Sequence, residues 1–105
     1  MRIEFDKEYL KDLYYDGKTE EKKYRFQPQV IAKYVKVVNI LESVSRIEDL
    51  FRYKSLNYEA LSGDLNGLDS VRVDRRYRLE FCRRYEGDKV SVTICRLMEL
   101  SNHYR

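Results

Sequence analysis

Ser70-Val71-Arg72-Val73-Asp74-Arg75-Arg76-Tyr77-Arg78-Leu79-Glu80-Phe81-Cys82 is the stretch that decides the fold class. Val71 and Val73 alternate with Ser70, Arg72 and Asp74. Tyr77, Leu79 and Phe81 alternate with Arg76, Arg78, Glu80 and Cys82. A period of two marks strands with one buried face, and the Asp-Arg-Arg between the runs reads as a turn. Further on, a turn at Glu86-Gly87-Asp88 leads into Val90, Val92 and Ile94, alternating with Ser91, Thr93 and Cys95. These runs predict an antiparallel meander over residues 70–97. Its apolar face covers helices. Its other face carries Arg72, Arg76, Arg78, Glu80, Ser91, Thr93 and the thiols of Cys82 and Cys95. The last strand is expected to end near Leu97 or Met98, leaving a short tail.

Upstream the apolar period is helical. Val30, Ile31, Tyr34, Val37, Val38, Leu41 and Val44 recur at three- and four-residue steps, and Pro28 suits the first helical position. Before it, Asp6 is expected to cap a helix with Tyr9, Leu10, Leu13 and Tyr14 on its stripe, closed by Gly17. Residues 17–27 form a polar, lysine-rich connection. Ser45-Arg46-Ile47-Glu48 reads as a capping box that opens a short third helix through Leu50 and Phe51. Ile3 and Phe5 of residues 2–5 share one face of a first strand, which is expected to join the sheet. The reading is α+β: an N-terminal strand and helices packed on one face of a mostly antiparallel sheet.

The chain has 105 residues, 43% of them hydrophobic and 37% charged, which suits one domain over 1–105. It has no apolar run of the ~18 residues that a membrane span needs, and the N-terminus lacks a secretion signal. A cytoplasmic protein with no membrane partner is expected. Its two cysteines are too few and too far apart for a zinc site and should stay free thiols in a reducing compartment. The net charge of +3 is modest, yet Arg72, Arg75, Arg76, Arg78, Arg83 and Arg84 crowd one segment. That suggests a basic face for a polyanion; the plainer alternative is a charged edge that resists sheet aggregation.

The segment Leu61-Ser62-Gly63-Asp64-Leu65-Asn66-Gly67-Leu68-Asp69-Ser70-Val71-Arg72-Val73, with Tyr77-Arg78-Leu79-Glu80-Phe81 and Leu100-Ser101-Asn102-His103-Tyr104, resembles HigB toxins, a branch of the RelE/ParE superfamily. Their pattern is a Gly-Asp-x-x-Gly loop, a Ser-hydrophobic-Arg strand, an aromatic-Arg-hydrophobic strand and a histidine near the terminus. Residues 59–104 carry most of the resemblance; the earlier part fits in pattern. It implies a RelE-like fold and the toxin of a type II toxin–antitoxin system, a ribosome-dependent mRNA endonuclease. The implied partners are a helix-turn-helix, HigA-like antitoxin, the ribosomal A site and mRNA. The toxin–antitoxin complex would bind operator DNA through the antitoxin. Arg78 matches the strand arginine that contacts the scissile phosphate, and His103 the terminal catalytic histidine. Glu59 stands five residues before Asp64, where several HigB proteins carry a second histidine. The family ending is often Asp-Tyr-His; here it is Ser101-Asn102-His103, followed by Tyr104.

Cutting RNA without a metal takes a proton from a 2′-hydroxyl, stabilises a crowded phosphorane and gives a proton to the 5′-oxygen. An arginine fork meets two phosphate oxygens and stays protonated. Arg78 is the first candidate, with Arg72 and Arg76 in support. Histidine, with an ordinary pKa of about 6.5, suits the proton transfers, so His103 is expected to act as acid or base. Glu59 or Glu80 is expected to be the partner base or to orient an arginine, and Asn102 and Tyr104 to contact RNA. No Asp/Glu/His set has metal-ligand spacing, and no cofactor is expected. Taken without the resemblance, a histidine beside a chain end is usually a surface residue, and a strand arginine such as Arg78 is usually exposed or ion-paired. Tyr9, Tyr14, Tyr34 and Tyr77 read as core packing, Tyr85 and Tyr104 as stacking candidates. Two further functions stay open: a ParE-like toxin that inhibits DNA gyrase without cutting, and an inactive module that only binds its antitoxin.

Overall fold

The structure, a computed structural model, describes residues 1–61, 67–87 and 92–102. The chain runs β1 (Arg2–Phe5), α1 (Glu8–Asp16), α2 (Pro28–Ser43), β2 (Glu59–Ala60), β3 (Asp69–Arg72), β4 (Arg78–Glu86) and β5 (Val92–Ser101). Short 3₁₀ helices occupy Lys22–Tyr24, Ile47–Arg52 and Lys54–Leu56. The sheet order is β1-β5-β4-β3-β2. β1 runs parallel to β5, and the other neighbours are antiparallel. The α+β reading and the placing of the first strand in the sheet both hold.

The helix stripes act as their periods require. Tyr9, Leu10 and Leu13 of α1 and Val30, Tyr34, Val37, Val38 and Leu41 of α2 are buried. They join Val71, Leu79, Phe81, Cys95, Leu97 and Leu100 from the sheet in one core. Pro28 opens α2, where its missing N–H costs nothing. Gly17 ends α1 at φ +73, which glycine adopts without a Cβ clash. The Tyr34 hydroxyl donates to the Leu10 carbonyl at 2.7 Å, tying the two helices together.

The structure corrects several local expectations. Asp6 does not cap α1. The helix begins after Lys7 without a side-chain cap, and Asp6 instead accepts a hydrogen bond from Arg96 Nε at 3.1 Å. The third helix is a 3₁₀ segment whose opening is held by Asp49 rather than by Ser45 and Glu48. The Asp49 carboxylate accepts the backbone N–H of Arg46 at 3.1 Å and of Ser45 at 3.3 Å. An unforeseen edge strand, β2, extends the meander.

The largest correction is the phase of β5. Ile3 pairs with Cys95 and Phe5 with Leu97, and all four lie on the helix side. Thr93 and Cys95 therefore point inward, whereas Ile94 lies on the opposite face between its strand partners Arg2 and Arg84, where it too is fully buried. Leu97 is in phase with Cys95, and the two together outweigh the Val90-Val92-Ile94 alternation. β5 also runs on through Ser101, past the expected end. A register shift beside Glu80 and Phe81, which are paired with Glu99 and Leu97, leaves Met98 as an extra residue. This bulge restores Leu100 to the core opposite Leu79.

Candidate nucleic-acid interface

The outward face of the sheet takes its order from strand register. Glu59 pairs with Ser70, Ser70 with Glu80 and Glu80 with Glu99, a row across β2 to β5. Arg72 pairs with Arg78 and Arg78 with Ser101, which makes the adjacent row. Two residues along a strand separate the rows by about 7 Å. Glu59 and Glu80 thus lie in the row beside Arg72 and Arg78, while the Glu99 carboxylate is taken by Lys7 and Tyr9.

Arg78 is only 7% exposed, and a buried charge has to be hydrogen-bonded. Its Nε donates to Ser70 Oγ at 2.9 Å, and its Nη2 to the backbone carbonyls of Asn57 and Ser70 at 2.5 and 3.3 Å. Asn57 offers that carbonyl from a left-handed conformation, φ +44, which asparagine tolerates better than most residues. Arg78 is therefore a fixed charge that ties β3 to the turn before β2.

Arg72 and Arg76 differ from it. Both are exposed. Arg76 lies in the β3–β4 turn rather than on a strand, and Asp74 shapes that turn. The Asp74 Oδ1 accepts the N–H groups of Arg76 and Tyr77, each at 2.8 Å. Arg72 Nε donates to the Asp74 carbonyl at 3.2 Å. Asn57, Glu59, Arg72, Asp74, Arg75, Arg76 and Arg78 line a cleft of about 370 Å³. Glu59, Arg72, Arg76 and Arg78 of the expected set therefore share one cavity. Glu80 is buried in the carboxylate row and does not line it. Asn102 lines a different cleft, with Lys23, Arg25, Tyr77 and Ser101. His103 and Tyr104, and the Asp64 loop, lie outside the described residues.

The arginine cluster does not form one face. Arg83 reaches inward to Asp69 at 2.7 Å. Arg84 pairs with Glu4 at 2.9 Å and with Glu86 at 3.3 Å, in a cross-strand lattice that also holds Arg2 and Arg96. Those charges are neutralised within the fold. Among the described residues, Arg72, Arg75 and Arg76 make no salt bridge, and neither do Lys23, Arg25 and Lys33. Arg25 and Lys33 meet Arg75 and Arg76 along a second cleft of about 420 Å³ on the far side of the turn. Among the described residues, five cations without a salt bridge (Arg25, Lys33, Arg72, Arg75 and Arg76) thus line the two clefts at the β3–β4 turn. Arg25 escaped the sequence reading because nothing in a lysine-rich connection says which turn it will fold against, and Lys33 because the period of α2 says only that it lies off the apolar stripe.

The other singled-out groups serve the fold. Tyr9 and Tyr34 are core, and Tyr14 and Tyr77 are half-buried against it. Tyr85 is exposed, as expected, but it belongs to β4 and its hydroxyl accepts from Arg83 at 3.2 Å. Cys95 is fully buried, and burial pushes its thiol pKa well up. Cys82 is half-buried and donates to the sulfur of Met98. Among the described residues no His, Cys, Asp and Glu side chains are grouped to hold a metal ion, and no helix is long and apolar enough to cross a membrane.

Residues 3–94 match the HigB-like toxin family, described as the RelE-like toxin of the type II toxin–antitoxin system HigB. No curated protein matches the sequence. Among solved structures, a YoeB/ParE toxin from Agrobacterium tumefaciens is similar in fold, with a TM-score of 0.55. The two share 18% identity over 99% of this chain and 100% of that one, a likeness of fold alone. With strand order, helix placement and the family match in agreement, the chain belongs to the HigB-like family of type II toxins, and such a toxin has an antitoxin as its partner.

Proposed function

We propose that the protein is a metal-independent endoribonuclease that cuts messenger RNA on the ribosome and so stops translation. The observation that carries this reading is the cleft at the β3–β4 turn, where Arg72 and Arg76, without ion pairs among the described residues, stand beside Glu59 and the anchored Arg78. Charge left unneutralised by the fold is charge kept for a polyanion.

In this mechanism Arg72 and Arg76 grip the phosphates, with forks that match phosphate oxygens. Arg78 adds a fixed positive charge that needs no reorganisation as the phosphorane forms. Glu59, in the neighbouring row, accepts the 2′-hydroxyl proton or orients an arginine. The 2′-oxygen then attacks phosphorus, the bond to the 5′-oxygen breaks, and His103 supplies or removes a proton near neutral pH. Asn102, Tyr104 and Glu80 play supporting parts, Glu80 from within the sheet. The partner antitoxin is HigA-like with a helix-turn-helix, the message is met in the ribosomal A site, and the toxin–antitoxin complex reaches operator DNA through the antitoxin.

The test is to express the chain and follow messenger RNA ends and plasmid supercoiling in the same cells. The proposal expects new 5′ ends with unchanged supercoiling. Altered supercoiling without new ends would replace it by gyrase inhibition, and neither change by a module that only binds its antitoxin.

A further inference from the structure

Tyr9 is 1% exposed, and its phenol is spent on the end of β5 rather than on its own helix. The hydroxyl donates to Glu99 Oε1 and accepts the backbone N–H of Leu100 at 3.0 Å. Lys7 Nζ holds the other Glu99 oxygen at 2.6 Å. The ring is fixed from the opposite side, stacked on Tyr24 at 3.6 Å between centroids and 5° between planes. Tyr24 in turn lines the same cleft as Glu99, Ser101 and Asn102.

The place of this clamp matters because of the bulge. Met98 is the extra residue that puts Ser101 opposite Arg78. Lose the bulge and Arg78 would pair one residue earlier, with every later side chain turned to the other face. A bulge leaves local backbone groups without their ladder partners. Here the Leu100 N–H, just past it, is satisfied by a side chain from α1. Nothing in the packing of α1 on α2 calls for a hydroxyl at this position.

We propose that Tyr9 is a positioning residue: through Glu99 and the Leu100 N–H it locks the bulged register of β5, and so fixes where Ser101 and Asn102 leave the sheet beside Arg78. The role rests on the RNA-cleavage reading, because Asn102 leads directly into His103. It places an α1 residue, remote in sequence from the cleft, in control of where Ser101 and Asn102 stand.

The experiment compares Tyr9→Phe with Tyr15→Phe, which removes the same atom from an exposed ring on the same helix. Backbone hydrogen exchange is read at Leu100, Ser101 and Asn102, and cleavage of a defined message is timed on purified ribosomes. Tyr9→Phe should speed exchange at those amides roughly fivefold or more, the loss of about one hydrogen bond. It should lower kcat about tenfold or more with KM little changed, as misplacement of a reacting group does. Tyr15→Phe should do neither. If Tyr9→Phe does not fold, Glu99→Ala removes the phenol's acceptor without touching the core ring, and the same readouts apply. Unchanged exchange, or faster exchange with unchanged kcat, overturns the proposal. If the unaltered protein cuts no message, the RNA reading falls, and exchange alone decides whether the clamp exists.

Discussion

Arg72 and Arg78 are strand partners with opposite circumstances, and substitution should separate them. Arg78→Lys keeps the charge but cannot reproduce the donors to Ser70 and Asn57. It should cost about 1–3 kcal/mol in chemical denaturation, the penalty for buried polar groups left unpaired. Arg72→Ala should leave stability within about 0.5 kcal/mol, as exposed substitutions usually do, yet lower ribosome-dependent cleavage about a hundredfold. The reverse pattern would place the phosphate contact on Arg78 alone. The sequence showed that both arginines share a face; it could not show that Ser70 and the Asn57 carbonyl would claim one of them, because Asn57 lies well upstream. The thiols teach the same lesson. Alternation read as far as Cys95 turned it outward, but continued to Leu97 it turns Cys95 inward. In the native protein a thiol reagent should modify Cys82 and spare Cys95, whose thiolate is disfavoured by burial. Equal labelling of both, read by mass, would contradict the corrected phase.

At the scale of elements, strong periodicity was legible and local irregularity was not. The stripe from Val30 to Leu41 could only be a helix with one buried face, and Pro28 marked its start. The bulge at Met98 had no local signal: neither glycine nor a turn residue sits there, and it exists because Leu97 and Leu100 both belong in the core. The β3–β4 turn lies between these cases. Its Asp-Arg-Arg was read as a turn, but the work of the carboxylate shows only in the structure. Asp74→Ala removes the acceptor for the Arg76 and Tyr77 N–H groups. The loss should be about 1 kcal/mol of stability, comparable to that of a helix cap. RNA affinity should fall as well, since Arg75 and Arg76 lose their mount. Full affinity in a folded Asp74→Ala protein would show that the arginines find the phosphates without that turn.

Over the whole molecule, buried phenols and segregated charge set the behaviour. Burial, then the hydrogen bond to Asp69, pushes the Tyr58 phenol up to about 12. Burial raises Tyr9 and Tyr34 still further. A phenol whose folded pKa lies above its unfolded value of about 10 stabilises the fold fully below that pH. The contribution falls away as pH climbs toward the folded values. The denaturation midpoint should therefore decline steadily above about pH 10, and a flat midpoint through the phenolate titration would contradict it. Charge follows the same division of labour: Arg2, Arg84 and Arg96 lock the outward face of β1, β4 and β5 to carboxylates, while Arg72, Arg75 and Arg76, without ion pairs among the described residues, gather around one turn. The sequence reported a cluster and a net charge but not this partition, which depends on which carboxylates the sheet brings alongside. The most direct test is to incubate a defined message with purified ribosomes and the unaltered protein, the Arg72→Ala/Arg76→Ala protein or the His103→Ala protein, each shown to be folded, and to map the 5′ ends. The unaltered protein should produce new ends only when ribosomes are present, and each variant should lose nearly all of them; wild-type ends from the arginine variant, or none from the unaltered protein, would contradict the account.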